Sequence, residues 1–453
     1  MGRRQALSTV GGPVRTKGPE RETALLRRAL DVPTGEEWRR LTHAFHAYPA
    51  RMHPDIAARL IQALARPGDR VLDPFVGSGT VLVEALLAGC RGFGVDAHPL
   101  AVRIARIKTA LWPQADLELL RAEATRVGEA ALELARTRGR APGSERLSRP
   151  SEARWFQPHV RWELSNLLAG IASVESSRVR DALEMALSSM LVKVSNQAAD
   201  SQLAAAPPSL ARGFTSRFFV RRAGELATQL GALAAAAPER AFPPRIQEGD
   251  ARRLRGIGPE SVRLIVTSPP YLGTYDYLAH QALRSGLLGI GTRRAAETEI
   301  GSRRAATDPE RAIATWRDDL LAVLSEMARV LQRGGHALLL IGTSRVGDRL
   351  VDSQVIIEEL APRAGLDAVA IASQSRPDRA PVGTQREDGA ERPEHLVWLR
   401  RPEGAGSESV RGGGAGPRRQ AAPRRAGPAT PRTGGPAAGR AGGPAPPRGK
   451  RGA

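Results

Sequence analysis

The segment Asp73-Pro74-Phe75-Val76-Gly77-Ser78-Gly79-Thr80 sets an acidic residue, two glycines and two hydroxyls into one short stretch. It directly follows the apolar run Arg70–Asp73. Gly77 and Gly79 permit positive φ and let a ligand approach the backbone. A strand that feeds such a turn and then a helix is how open α/β sheets bind ligands at their strand ends. Asp96 ends the next apolar run, Arg91–Asp96, roughly twenty residues on, where a carboxylate can accept hydrogen bonds from ribose hydroxyls. Spacing alone would permit a nicotinamide dinucleotide. The third glycine of G-x-G-x-x-G is absent, however, because Leu82 stands there. Asp73 would repel a pyrophosphate but can take up an ammonium group. This combination points to S-adenosylmethionine, which carries an amino-acid head and a sulfonium.

Thr267-Ser268-Pro269-Pro270-Tyr271 is the second such segment, and it ends the apolar run Val262–Thr267. Two consecutive prolines fix φ and remove two N–H donors, so the carbonyls before and between them are presented rigidly. A hydroxyl, a proline carbonyl and an aromatic ring then converge at a strand end, which suits a planar base bearing an exocyclic amine. Ser268 and the carbonyl of Pro269 can accept the two amine N–H bonds. The ring of Tyr271 can stack on the base. Accepting both N–H bonds draws the nitrogen out of conjugation and aims its lone pair outward. Proximity and polarisation then supply most of the rate.

Together these segments resemble the amino-methyltransferases of DNA, the N4-cytosine and N6-adenine group. The Asp73 to Thr80 loop is similar to that family's S-adenosylmethionine motif, and Asp96 matches its ribose-binding acidic position. Asp250, in Gln247-Glu248-Gly249-Asp250-Ala251, resembles the acidic residue near the adenine. Ser268-Pro269-Pro270-Tyr271 resembles the catalytic motif. Its leading Ser is more typical of N4-cytosine enzymes, whereas adenine enzymes usually place Asp or Asn there. The stretch His43-Ala44-Phe45-His46-Ala47-Tyr48-Pro49-Ala50-Arg51-Met52-His53-Pro54 resembles the motif that covers the methionine end of the cofactor. Residues 316–335 are similar to a segment common in class I methyltransferases. The resemblance covers about half the chain, over 43–110, 245–290 and 312–345. It implies a class I fold, S-adenosylmethionine as cofactor, and double-stranded DNA with an extruded base as substrate. An RNA base amine such as guanine N2 is the alternative, and a catalytically silent nucleic-acid-binding protein of the same fold is another. In this chain the cofactor motif precedes the catalytic one, and many relatives with an Asp-Pro-Phe loop have the reverse order.

The elements that must position these residues alternate between strand and helix. Strands are expected over Arg70–Asp73, Arg91–Asp96, 245–247, Val262–Thr267 and 336–342, with weaker ones over 368–372 and 395–399. Helical periodicity marks Pro54–Leu64, 79–88, 99–110 and 316–331. Short connections between them predict an α/β fold with a doubly wound, mostly parallel, Rossmann-like sheet. The Ala-, Leu-, Glu- and Arg-rich stretch 113–240 reads as a helical insertion that splits the methyltransferase domain into 36–112 and 241–402. Residues 1–35 read as a flexible arm holding at most a short helix over Glu20–Leu30. Residues 403–453 read as a disordered basic tail, since 22 of the 50 residues from Gly404 are Gly or Pro and none is aromatic.

Formal net charge is +20, and the segment from Gly404 onward alone carries +9 of it. The remainder still favours a polyanionic partner. No apolar run is long enough for a membrane span. The polar N-terminus lacks a secretory h-region. Cys90 is the single cysteine, which excludes a disulfide framework and a multi-Cys zinc site and fits a reducing cytoplasm. No metal site is expected at His43, His46 and His53, which lack carboxylates at ligand spacing. Tyr275, Asp276 and Tyr277 could line the base pocket. The stretch 292–311, with Arg293, Arg294, Arg303 and Arg304, reads as a surface loop, as does 374–392.

Overall fold

A computed structural model describes residues 12–33, 36–49, 51–137, 139–142, 154–199, 202–203, 209–302, 308–376 and 392–404. Strand β1 spans Val14–Lys17, β2 Arg70–Asp73, β3 Arg91–Asp96, β6 Arg245–Glu248, β7 Val262–Thr267, β8 Leu331–Gly342, β11 Asp367–Arg376 and β12 Arg392–Arg400. These eight form one sheet in the order β1-β11-β12-β8-β7-β2-β3-β6. The five strands from β8 to β6 run parallel. β12 runs antiparallel between β8 and β11, and β1 is antiparallel to β11 at the edge. The chain therefore winds outward from β2 through β3 to β6, then returns to the other side of β2 at β7 and β8. The strand order reverses between β2 and β7. Open α/β sheets bind ligands in the crevice outside the strand C-termini at such a point.

Side chains on successive strand residues point to opposite faces, and both faces here are covered. Val71, Leu264, Val266, Leu338 and Leu340 pack with helices α1 (Glu20–Leu30), α2 (Pro54–Leu64) and α3 (Thr80–Leu87). Leu72, Ile265, Ala337, Leu339 and Ile341 face the other way, onto α11 (Pro309–Val330) and α12 (Ser353–Arg363). This is why Val262–Thr267 reads as a nearly continuous apolar run.

Residues 12–33 differ from the expected arm. β1 pairs along β11 from Val14 opposite Gln374 to Lys17 opposite Ile371. Helix α1 lies over the sheet with Leu26 and Ala29 wholly buried and Leu30 nearly so. Its spacing of Leu26, Ala29 and Leu30 is an amphipathic stripe. Burying each leucine contributes roughly 1.5–3 kcal/mol, so this segment is core. Residues 1–11, the tail from 405 onward and the stretch 377–391 lie outside the described residues.

Residues 113–240 are built of α5 (Gln114–Thr137), α6 (Pro158–Ala172), α7 (Ser177–Val194) and α8 (Phe214–Ala236), with a small β4 (Gln197–Ala199) and β5 (Gln202–Leu203) pair. Leu120, Val127, Leu164, Leu187 and Leu226 meet in one apolar cluster. The same cluster takes in Phe45, Leu100 and Ile104 of α4 (Pro99–Lys108), and Leu283 and Leu287 of α9 (Tyr277–Leu288). The buried Glu163 carboxylate accepts from Gly213 N at 2.7 Å and Ser216 N at 2.9 Å, which satisfies free donors at the start of α8. Among the described residues no helix is long and apolar enough to cross a membrane.

The stretch 292–311 is not a plain surface loop. It carries α10 (Arg293–Thr298), with Ala295 and Ile300 buried. The arginines 303 and 304 lie outside the described residues.

Candidate active site

The glycine loop leaves β2 and enters α3. Gly77 has φ +48° and Gly79 has φ +83°, so both adopt the left-handed conformations that favour glycine. A Cβ on Gly79 would stand 3.0 Å from Cβ of Ala105, so the loop and α4 meet more tightly than a side chain there would allow without a small shift. Gly77 N donates to Asp96 Oδ2 at 2.8 Å, and His98 N donates to Asp96 Oδ1 at 2.9 Å. Asp96 thus holds the loop as well as facing the cleft. Lys108, wholly buried, donates to Ser78 Oγ at 3.3 Å, and burial holds its ammonium well below the usual range.

The second wall comes from β7, the parallel neighbour of β2. Thr267 Oγ1 donates to Asp73 Oδ1 at 2.7 Å, and Phe75 N donates to the same oxygen at 3.1 Å. Ser268 follows at once. It and Pro270 line the same cleft as Asp73, Gly77 and Asp96. The cleft together with its open mouth takes in about 940 Å³ of empty space, part of it open to solvent. Trp316 Nε1 donates to Pro270 O at 3.3 Å and fixes the turn from behind.

Tyr271 is not where a stacking ring is needed. It is buried, its hydroxyl donates to Glu394 Oε1 at 2.7 Å, and its ring lies against Gly342. It does not line the cleft, and neither does the buried Pro269. The reason is local. β8 ends on Gly342, and the missing side chain there leaves a hollow that the Tyr271 ring fills.

The aromatic walls of the cleft are instead Tyr48, Phe75 and Tyr277. Tyr48 and Tyr277 stack with centroids 6.2 Å apart and planes at 25°. Tyr277 opens α9, whose N-terminus is capped by Asp276. Tyr277 N also donates to Glu299 Oε1 at 2.9 Å. Thr298, Glu299 and Ile300 complete this side. The polar look of 292–311 concealed these three, whereas Tyr48 lies inside the stretch already matched to a cofactor-covering motif. Arg51 and Met52 of that stretch also line the cleft. His43 and His46 do not. They bond Glu84 and Ser188 within the core, and burial holds both imidazoles well below the usual range.

Burial pushes the Asp73 carboxyl up to about 7, against the opposing hydrogen bonds from Thr267 and Phe75. Burial likewise pushes Asp96 up to about 6. Among the described residues their hydrogen-bond donors are backbone amides and one hydroxyl, none of them a cation. A buried and a half-buried carboxylate with no cationic hydrogen-bond donor among the described residues, above a loop with two left-handed glycines, fit a cationic ligand. S-adenosylmethionine has that charge and needs that close backbone approach. Asp250 lines the same cleft with both oxygens engaged by Arg252, which also reaches Asp319 at 2.6 Å. Its remaining lone pairs leave room for an exocyclic amine. Among the described residues no three His, Cys, Asp or Glu side chains are grouped to hold a metal.

A DNA methylase family profile of the N6/N4 type matches residues 15–106. The type II methyltransferase M.MvaI of Kocuria varians is 42% identical over 72 residues, which is 15% of this chain and 16% of that protein. The tRNA (guanine(10)-N2)-dimethyltransferase of Methanothermobacter thermautotrophicus is 36% identical over 78 residues, 17% of this chain and 23% of that one. The matched stretch thus spans less than a quarter of either relative. Among solved structures, the rRNA methyltransferase aviRa from Streptomyces viridochromogenes covers 83% of this chain and 96% of its own, at 15% identity and a TM-score of 0.32. The profile match falls on the glycine loop and its flanking strands, and over that stretch the chain is similar to S-adenosylmethionine-dependent DNA amino-methyltransferases.

Proposed function

We propose that the chain methylates the exocyclic amine of a base in double-stranded DNA, with N4 of cytosine the first target and N6 of adenine the next. The observation that carries this reading is the Thr267–Asp73 hydrogen bond. It ties the loop that suits a sulfonium donor to the turn that suits an amine, at one edge of one sheet.

When bound, S-adenosylmethionine supplies an electrophilic methyl group on a positively charged sulfur. Asp73, Asp96 and the glycine-loop backbone hold it. Ser268 Oγ, which lines the cleft, accepts an N–H bond of the target amine and turns its lone pair toward the sulfonium. The two prolines keep that arrangement rigid, since the turn cannot rearrange its own hydrogen bonds. Tyr277 and Tyr48 give an extruded base an aromatic wall. The proton released from the amine leaves to water, so no strong base is required. Ser in front of Pro-Pro favours cytosine. The net positive charge outside the tail favours a polyanion.

Guanine N2 of an RNA is the second reading, favoured by the matched tRNA dimethyltransferase. The test is transfer of labelled methyl from S-adenosylmethionine to DNA and to RNA, followed by mass analysis of the nucleosides. N4-methylcytosine supports the first reading. Label in RNA alone overturns it, and no label in either polymer leaves a silent scaffold.

A further inference from the structure

We infer that Glu394 is a positioning residue for methyl transfer, acting by clamping Tyr271 so that the Ser268-Pro269-Pro270 turn keeps one shape. The inference rests on the reading above for its kinetic consequence, and on the coordinates alone for the clamp.

A turn with two prolines lacks two backbone donors and must be held from outside. Upstream, the hold is Thr267 on Asp73. Behind it, Trp316 Nε1 holds Pro270 O. Downstream, the chain is held through Tyr271. Its hydroxyl donates to Glu394 Oε1 at 2.7 Å, and Glu394 is only 3% exposed. Glu394 sits on β12 directly opposite Gly342 of β8. A Cβ at Gly342 would come within 2.8 Å of Tyr271 Cε2, so the ring rests on the β8 backbone. The tyrosine is thereby gripped at its face by Gly342 and at its tip by Glu394. Thr274 N then bonds Tyr271 O at 3.3 Å, and Gly273 N bonds Gly301 O at 2.9 Å. The clamp continues past the turn into the segment that leads to Tyr277. A buried carboxylate–hydroxyl bond is strong and directional, and its loss leaves a buried acceptor with less than it needs.

This role separates the hydroxyl of Tyr271 from its ring. A ring that stacked on a base would tolerate Tyr271→Phe. A clamp would not. The experiment uses the full chain and compares wild type, Tyr271→Phe, Glu394→Gln and Glu394→Ala. Amide hydrogen exchange is read at Gly273 and Thr274, with Ile265 and Val266 as internal references. Single-turnover methyl transfer to DNA and the Kd for S-adenosylhomocysteine are measured beside it. The clamp predicts faster exchange at Gly273 and Thr274 in Tyr271→Phe and Glu394→Ala, with the β7 amides unchanged. It predicts a roughly tenfold or larger fall in transfer rate with Kd and KM held. Glu394→Gln, whose amide oxygen still accepts the hydroxyl, returns both readouts to within about twofold of wild type. Wild-type exchange in Tyr271→Phe overturns the clamp. So does a rate that falls only together with cofactor affinity and melting temperature. A wild-type chain that methylates no DNA overturns the proposed function instead, and the exchange measurement still decides whether the clamp exists.

Discussion

Thr267 Oγ1 lies 2.7 Å from Asp73 Oδ1, across a separation of 194 residues. The two side chains come from adjacent parallel strands, and each stands at a strand C-terminus. The bond therefore reports that the cofactor loop and the amine-binding turn share one corner of the sheet. It also orients the Asp73 carboxylate, which lines the cleft.

Thr267→Val removes the donor and keeps the shape. Asp73 then keeps Phe75 N as its donor, and a deprived buried acceptor costs about 1–3 kcal/mol. Denaturant unfolding should show that loss, and isothermal titration should show weaker S-adenosylmethionine binding. Thr267→Ser keeps the hydroxyl and should stay within about 1 kcal/mol of wild type. Equal behaviour of the two variants would count against the bond.

Cofactor affinity should rise with pH. In the cofactor-free protein Asp73 keeps its proton up to about 7 and Asp96 up to about 6, while their ordinary value is 3.8. Between 3.8 and those values the folded state binds more protons than the unfolded one. Their contribution to stability is therefore complete below 3.8 and is lost as pH rises through 6 and 7. A bound cation favours the ionised carboxylates, so binding releases protons in that window. Titration at pH 8 and pH 5.5 should give a Kd weaker by at least about tenfold at the lower pH. At pH 6.5 the binding heat should vary with buffer ionisation enthalpy. A Kd flat across this range would remove the two carboxylates from the cofactor's charge balance.

Most of the sheet was legible in the sequence because its strands are buried on both faces and read as apolar runs. Val262–Thr267 is the plainest case. The glycine loop was legible because two positive-φ positions and a following helix leave few alternatives. What escaped depended on long-range packing. Nothing local distinguishes a Tyr271 that stacks on a ligand from one that fills the hollow at Gly342. Nothing in the polar stretch around Glu299 shows that it folds back over the cleft. The N-terminal arm was misjudged for the same reason: β1 is only four residues long and gains its order from β11, more than 350 residues away.

Ser268→Ala and Asp96→Ala should separate chemistry from binding. Ser268 lines the cleft beside Pro270, so removal of its hydroxyl should lower turnover by about tenfold or more and leave cofactor Kd within about twofold. Asp96 holds both Gly77 N and His98 N. Its removal should weaken cofactor binding more than it lowers the rate at saturation. Equal effects of the two variants on both constants would contradict the assignment of one wall to each substrate.

Leu26→Ala tests whether the first segment is core. Leu26 is wholly buried among Ala29, Leu30 and the β7 and β8 side chains. A leucine truncated in such a site costs about 2–5 kcal/mol, the spread reflecting how far the cavity collapses. Urea unfolding should show a loss in that range with an unchanged m-value. A loss under about 0.5 kcal/mol would return the segment to the status of a loose arm.

Gly79→Ala puts the backbone requirement and the packing requirement on one residue. The position has φ +83°, which an alanine adopts only with strain of about 1–2 kcal/mol. The added Cβ would also meet Ala105 Cβ at 3.0 Å and Ala105 Cα at 3.1 Å, so α4 must shift by a few tenths of an ångström. That shift moves the element following Asp96, whose carboxylate fixes the loop through Gly77. The variant should thus lose stability by about 1–3 kcal/mol and lose cofactor affinity by more than its stability alone accounts for. Gly77→Ala is the comparison. Its Cβ would meet the Tyr48 ring at 3.4 Å and Phe75 O at 3.8 Å, both ordinary contacts, so strain at φ +48° is its main penalty. Thermal melts with and without S-adenosylhomocysteine separate the two. A larger ligand-induced rise in melting temperature for Gly77→Ala than for Gly79→Ala is expected, and the reverse order would place the critical contact at Tyr48 instead of α4.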